Sequence, residues 1–231
     1  MNLSHDFAEI KKHSNIVRLG GIAILITLII HIIVNWVLKT FPPMNASVDE
    51  LKSYLTHEYS IWAAVHGLRY MAIVCIILFS AGLFTRTCCI RSTTNIGWGI
   101  VGLLGSSLLV ANLLITNGIE TLAFLDYKIL SENQELFWLL FNVTRVLFTA
   151  EIVAWAIVLT GFGVAGLYSK TIPKWVVYLG FLGAGSGLFA ALNIVEVMND
   201  GWQSYFLAAG GLLGMLWFAT IGVYILIKGI K

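Results

Sequence analysis

Six long apolar runs, separated by short polar connections, organise the sequence. Each run is close to the ~20 residues that a helix needs to cross about 30 Å of hydrocarbon. The predicted spans are 16–38, 61–84, 96–117, 136–160, 175–197 and 205–227. They predict an all-α polytopic membrane protein with six transmembrane helices, in which residues 1–231 form a single transmembrane bundle. The composition agrees, because 58% hydrophobic and only 11% charged residues leave no room for a separate soluble domain.

The basic residues fall mainly on one side of the predicted spans. Those expected on the inner side are Lys11, Lys12, Arg18, Arg86, Arg91, Lys170, Lys174, Lys228 and Lys231, whereas Lys39, Lys52 and Lys128 fall on the outer side. The positive-inside rule therefore predicts that both termini lie in the cytoplasm. The net charge of +2 gives no sign of nucleic-acid binding.

A polar pattern, W-x3-[HN]-x2-R followed by N-x2-E, occurs twice at a constant offset of 76 positions. The first copy is Trp62, His66, Arg69, Asn117 and Glu120, and the second is Trp138, Asn142, Arg145, Asn193 and Glu196. Agreement at several polar positions within apolar segments indicates duplicated helical hairpins. Spans two–three and four–five are therefore predicted to form a parallel internal repeat.

These polar residues all fall in the predicted outer half of the membrane. Arginine and glutamate are costly there, so their presence indicates a site or a structural contact. Helical spacing puts each W-x3-[HN]-x2-R on one stripe and each N-x2-E on one face. The hypothesis is an externally facing pocket whose candidate ligand-binding residues are Arg69, Arg145, Glu120, Glu196, His66, Asn142, Asn117, Asn193 and Glu151.

Pairing of the two arginines with Glu120 and Glu196, within each copy or crosswise, would satisfy the guanidinium donors. The same pairs could serve only as structural clasps. Glu151 has no acidic counterpart, because Cys75 stands 76 positions earlier. Its carboxyl is either protonated and bonded to a neighbouring helix, or it is a proton-handling group or the deep end of the cavity.

Two histidines, His31 and His66, are expected at similar depths on adjacent helices. They could hold haem b or a metal ion, or each could hydrogen-bond across helices. No C-x-x-C-H motif accompanies them. The expectation is therefore a protein without a cofactor, and an enzymatic activity is not favoured.

Glycines on the last two spans predict close helix contact. They are Gly180, Gly183, Gly185 and Gly187 on the fifth span, with Gly210, Gly211 and Gly214 on the sixth.

The stretch 161–180, GFGVAGLYSKTIPKWVVYLG, resembles a loop of an uncharacterised bacterial family of six-helix membrane proteins. The opening Arg18-Leu-Gly-Gly and the intramembrane arginines Arg69 and Arg145 are similar too. The family is catalogued as a domain of unknown function, number forty-three eighty-six. The resemblance implies a bacterial or archaeal plasma-membrane protein and assigns no activity.

The leading functional hypothesis is a multi-pass membrane protein that binds or moves a small polar or anionic molecule, or a lipid headgroup. One alternative is a structural or assembly subunit whose Arg–Glu pairs only hold the bundle. Another is a haem- or metal-binding redox protein that uses His31 and His66. The expected partners are membrane lipids and a small-molecule ligand, and the sequence does not decide the oligomeric state.

Overall fold

The structure, a computed structural model, describes residues 3–34, 49–50, 59–88, 93–125, 133–199 and 201–228. Within these ranges the chain forms helices and no strand. The helices are α1 (Leu3–Ile32), α2 (Tyr59–Thr87), α3 (Thr93–Leu125), α4 (Gln134–Ser169), α5 (Lys174–Ala191), α6 (Ile194–Met198) and α7 (Ser204–Lys228).

All of these helices except the five-residue α6 are long and apolar enough to cross a membrane. Many large apolar side chains on them face outward, such as Leu104 and Leu182, which are 59% and 63% exposed. A soluble helix would bury such a stripe, whereas a helix in lipid exposes it. The predicted all-α fold with six spans is confirmed, and the architecture is that of a multi-pass membrane protein.

The six long helices pack in a closed ring that follows the chain order. α1 packs on α2, α2 on α3, α3 on α4, α4 on α5, α5 on α7, and α7 returns to α1. The upper half of the bundle is defined here as the part that contains the end of α1, the start of α2, the end of α3 and the start of α4. The lower half contains the opposite ends of these helices.

Aromatic side chains fill the lower half. Phe79, Phe162 and Trp217 are almost completely buried, and Phe218 lies among them. The rings meet edge to face, with centroids 5.4 Å apart for Phe79 and Phe218 and 5.1 Å for Trp217 and Phe218. This geometry is the one that aromatic quadrupoles prefer. The lower half therefore contains the large aromatic core of the bundle.

Glycines set the tightest helix contacts. A Cβ on Gly161 of α4 would lie only 2.6 Å from the Cα of Gly102 on α3, so neither position has space for a side chain. A Cβ on Gly210 of α7 would lie 2.8 Å from the backbone nitrogen of Gly187 on α5. The predicted close helix contact is thus confirmed for these glycines, whereas Gly185 and Gly211 face open space. The α3–α4 contact was not predicted, and it fixes the register of α4 beside α3.

Arg86, one of the basic residues expected on the inner side, is buried in the last turn of α2. Its Nε and Nη2 donate to the carbonyl oxygen of Thr171 at 3.3 and 3.2 Å. The guanidinium also lies 4.9 Å from the ring centroid of Tyr224. Such a charge is tolerated because backbone and aromatic partners surround it. Arg86 therefore joins α2, the α4–α5 connection and α7 in the lower half.

Several helix ends differ from the predicted span ends. α3 continues to Leu125 and α4 to Ser169, beyond the predicted ends at Asn117 and Thr160. α2 likewise ends at Thr87 rather than at Phe84. Apolar windows mark the part of a helix in hydrocarbon, whereas the backbone continues until a cap or turn ends it. Residues 35–38 of the first predicted span lie outside the described residues.

The fifth predicted span, 175–197, is not one helix. α5 ends at Ala191, Leu192 and Asn193 form a turn, and α6 follows. The side chain of Asn193 accepts a hydrogen bond from the backbone nitrogen of Glu196 at 3.4 Å, as an N-cap does. Asn193 thereby starts a new helix at a position where the apolar pattern predicted a continuous one.

Candidate functional site

Two hydrogen-bonded pairs join α2 and α3 in the upper half. His66 Nδ1 lies 2.7 Å from Asn117 Oδ1, and Arg69 Nη1 forms an ion pair with Glu120 Oε2. Because His66 and Arg69 are three residues apart, as are Asn117 and Glu120, both pairs lie on the same facing sides of two antiparallel helices. The first copy of the repeated pattern therefore forms two adjacent polar links.

The two links differ in their exposure. The side chains of Arg69 and Glu120 are 16% and 20% exposed, whereas His66 and Asn117 are 6% and 2% exposed. Asn117 Nδ2 is buried, and no hydrogen-bond acceptor for it lies among the described residues. A buried amide N–H group without an acceptor is costly. The amide nitrogen of Asn117 can therefore still donate a hydrogen bond.

Glu151 of α4 faces the same region. It lies within electrostatic range of both Arg69 and Glu120, and it is half-buried. Helical side chains incline toward the helix N-terminus. On α4 that direction leads upward, so the Glu151 carboxylate inclines toward the links between α2 and α3. That Glu151 forms the floor of a polar site stays a prediction.

Asn112 fixes α4 at this depth. Its Nδ2 donates to the backbone carbonyl of Leu147 at 2.8 Å. In an α-helix that carbonyl also accepts from the nitrogen four residues later, which is that of Glu151. Asn112 therefore holds α3 against the turn of α4 that carries Glu151. The sequence did not predict this role of Asn112.

His31 adds α1 to the group, because it lies within electrostatic range of Arg69. Arg69 and Glu120 also lie within electrostatic range of His66. We call the six residues that share this environment the polar cluster. It consists of His31, His66, Arg69, Asn117, Glu120 and Glu151.

The second copy of the pattern does not repeat these links. Asn193 is exposed and caps α6, and Glu196 is half-buried in the same short helix. Within the described residues, Glu196 forms no ion pair with Arg145, although the matching pair of the first copy is formed. Arg145 itself is buried on α4, and Asn142 is half-buried one turn earlier.

The carboxylate of Glu196 turns toward the chain that follows it. A Cβ on Gly201 would collide with Glu196 Oε2, and the backbone nitrogen of Gly201 donates to the Glu196 carbonyl at 2.7 Å. Only glycine leaves space for this approach. The N-x2-E of the second copy thus closes the connection between α6 and α7. The side chains of Trp62 and Trp138, which complete the two patterns, lie outside the described residues.

A metal site would need several ligands close together. Among the described residues, no group of three or more histidine, cysteine, aspartate or glutamate side chains could hold a metal ion. The two imidazoles predicted as alternative haem or metal ligands lie in the polar cluster, where His66 bonds Asn117. That contact is the cross-helix hydrogen bond expected for His66.

Comparison with known proteins adds no family to this description. No protein-family model, no curated protein and no solved structure matches the chain. The resemblance to the uncharacterised six-helix family stays a prediction.

Proposed function

We propose that this membrane protein binds or moves a small polar molecule, or the headgroup of a lipid, at the polar cluster. The observation that carries the proposal is the convergence of Arg69, Glu120 and Glu151 from three helices. Charged groups are expensive inside an apolar bundle and typically mark ligand or ion sites. The amide nitrogen of Asn117, for which the described residues provide no acceptor, supports a site that receives a polar ligand.

The proposed site is smaller than the sequence predicted. Asn193 and Glu196 are used in the connection before α7, so they are left out of it. Arg145 and Asn142 lie on α4 with Glu151, but six residues separate Arg145 from Glu151 and place them on different faces. We therefore assign the site to α1, α2, α3 and one face of α4.

The rival function is purely structural. The pair of Ser80 and Ser106, whose hydroxyl oxygens lie 2.8 Å apart, also links α2 to α3 in a place where no charge is present. Polar links can therefore hold this interface without serving a ligand, and the clasp hypothesis needs a direct test. The two hypotheses differ in what happens when the Arg69–Glu120 pair is replaced by apolar residues of similar size.

The test uses the double variant Arg69→Met/Glu120→Leu. Replacing both partners leaves no stranded charge, so the bundle is expected to fold. The wild-type protein, the double variant and the control Arg145→Met are extracted in mild detergent, and the small molecules and lipids that stay bound are identified by mass spectrometry. We expect near-stoichiometric retention of one species by wild type and control, and its loss from the double variant. Equal retention by all three proteins would leave only the structural function.

The proposed location is the plasma membrane, with the upper half facing the cell exterior and both termini in the cytoplasm. The sidedness of the basic residues supports this orientation. Tyr205 and Lys174 are exposed near opposite ends of the bundle. In intact cells, a membrane-impermeant maleimide should label Tyr205→Cys and leave Lys174→Cys unlabelled until the cells are opened. The reverse pattern would invert the proposed orientation.

A further inference from the structure

Gln203 is a buried polar residue that the sequence-predicted site does not include. It lies directly before α7, and its backbone carbonyl accepts hydrogen bonds from the nitrogens of Phe206 and Leu207 at 3.1 and 3.2 Å. Gln203 is only 8% exposed, and no hydrogen-bond donor to its Oε1 lies among the described residues. A buried amide oxygen without a donor is costly, so its presence needs a physical reason.

The backbone around Gln203 does not provide this donor. Five nearby backbone nitrogens already donate to carbonyl oxygens of the same segment, namely those of Gly201, Ser204, Tyr205, Phe206 and Leu207. The connection between α6 and α7 is therefore held by its own backbone bonds, and the side-chain oxygen of Gln203 is not one of their acceptors.

The side chain of Gln203 belongs to the inward face of α7. Gly210, Trp217 and Ile221 are buried on this helix, and they follow Gln203 by seven, fourteen and eighteen residues. These spacings are close to multiples of 3.6, so all four residues lie on one stripe. Gln203 therefore faces the inside of the bundle rather than lipid.

Gln203 also lies at the height of the polar cluster. In the lower half, the parallel helices α2 and α7 meet through the rings of Phe79 and Trp217, whose centroids lie 6.4 Å apart. His66 is thirteen residues above Phe79 on α2, and Gln203 is fourteen residues above Trp217 on α7. At a rise of 1.5 Å per residue, both lie about 20 Å above this contact.

Asn117 presents the complementary group at the same height. Its Oδ1 lies 2.7 Å from His66 Nδ1, and no acceptor for its buried Nδ2 lies among the described residues. One amide can thus still donate a hydrogen bond, and the amide of Gln203 can still accept one. The polar layer of the bundle therefore extends from α2 and α3 to the start of α7.

We propose that Gln203 is a specificity-determining residue of the polar cluster, because its Oε1 accepts a hydrogen bond from a hydroxyl or N–H group of the ligand. This inference rests on the proposed function and adds the chemistry of the ligand. A ligand with acceptors alone would leave Oε1 buried and unpaired, and a site built for a donor rejects such an analogue. The donor belongs either to a free polar molecule or to a lipid headgroup.

The test uses the variant Gln203→Met, which keeps the length of the side chain and removes its hydrogen-bonding groups. The control is Asn199→Leu, which replaces an exposed amide of the same connection. In purified full-length protein without added ligand, Gln203→Met removes a buried oxygen that has no donor, so the thermal unfolding midpoint should stay the same or rise. Failure of Gln203→Met to fold would show a structural role and overturn the inference.

Two soluble probes measure the need for a donor. Acetamide and N,N-dimethylacetamide both carry a carbonyl oxygen, and only acetamide carries N–H groups. Binding is measured from the concentration dependence of the unfolding midpoint in detergent. We expect acetamide to raise the midpoint of wild type and Asn199→Leu, and its apparent binding to weaken about tenfold in Gln203→Met. N,N-dimethylacetamide should have no effect on any of the three proteins.

A second arm tests a lipid as the source of the donor. The proteins are placed in nanodiscs of phosphatidylethanolamine, whose headgroup carries N–H groups, or of phosphatidylcholine, whose headgroup carries none. Both headgroups are zwitterionic, so the pair differs in donors and not in net charge. Stabilisation by phosphatidylethanolamine that Gln203→Met abolishes, without a response to acetamide, would identify a lipid headgroup as the ligand.

The outcomes separate this inference from the proposed function. Equal responses to the two members of both probe pairs would overturn it, and so would a donor-dependent response that Gln203→Met retains. If no probe changes the midpoint, the donor assignment is wrong. The retention experiment on Arg69→Met/Glu120→Leu judges the site independently in each of these cases.

Discussion

The two copies of the polar pattern share their residue types and spacing, yet they build different structures. In the first copy, α3 runs unbroken through Asn117 and Glu120, and both residues reach across to α2. In the second copy, the helix stops at Ala191, and Asn193 begins the short helix α6. One N-x2-E forms cross-helix links, and the other forms a helix cap and a turn.

The difference shows that the residues after the pattern decide whether the helix continues. Glu120 is followed by the apolar run Thr121-Leu-Ala-Phe-Leu125, which continues the helix. Glu196 is followed within five residues by Asn199 and Gly201, residue types that favour turns. Asparagine can bond its own backbone or a distant partner, so the same residue suits a cap or a cross-helix link. The parallel internal repeat stays a prediction, and the two hairpins differ in structure within the described residues.

The largest contrast is expected from removing the two glutamates. Glu120→Ala strands the charge of Arg69 in a half-buried place and should cost about 3 kcal/mol. Glu196→Ala removes a side chain that forms no ion pair within the described residues, and it should cost about 0.5 kcal/mol or less. Unfolding of the purified variants in detergent measures both. Equal losses of stability would mean that Glu120 and Glu196 contribute equally to the stability of the protein.

The two asparagines should show a smaller contrast. Asn117→Ala removes the partner of a buried imidazole and should cost about 2 kcal/mol. Asn193→Ala removes an exposed N-cap and should cost about 1 kcal/mol or less. The same unfolding assay applies, and hydrogen exchange of the α6 amides should rise only in Asn193→Ala. A greater loss in Asn193→Ala than in Asn117→Ala would contradict the assignment of these roles.

A third comparison uses Asn112 and Leu188, which occupy equivalent positions of the two copies. Asn112→Ala deletes the hydrogen bond to the carbonyl of Leu147 and should cost about 1 kcal/mol. Leu188 is 42% exposed, so Leu188→Ala should change stability by about 0.5 kcal/mol or less. If Asn112→Ala also weakens ligand binding, the turn that carries Glu151 is positioned by this contact. If Asn112→Ala changes neither the stability nor ligand binding, the hydrogen bond from Asn112 does not position this turn.

The helix count could be predicted because apolar content is summed over a whole window, and single residues barely change that sum. Helix ends depend on single residues. The break after Ala191 was not predicted, because an asparagine such as Asn193 can be either a polar residue inside a span or a helix cap. The burial of Arg86 was not predicted for a similar reason, because it depends on partners that are distant in the sequence, Thr171 and Tyr224.

The candidate site was predicted in part. Helical spacing brought His66 and Arg69 onto one face, and Asn117 and Glu120 onto another, and the structure joins these faces. Spacing alone could not choose between pairing within a copy and pairing across copies, because both satisfy the same donors. The function of Asn112 could not be predicted from the sequence, because its acceptor is a backbone carbonyl, which every residue provides.

Double-mutant cycles test the central claim most directly. One cycle combines Arg69→Met with Glu120→Leu, and the matched cycle combines Arg145→Met with Glu196→Leu, with unfolding free energies measured for all variants. We predict a coupling energy of about 1–3 kcal/mol for the first pair and a value within about 0.5 kcal/mol of zero for the second. Coupling in the second pair as large as in the first, or none in the first, would contradict the asymmetry on which the proposed site depends.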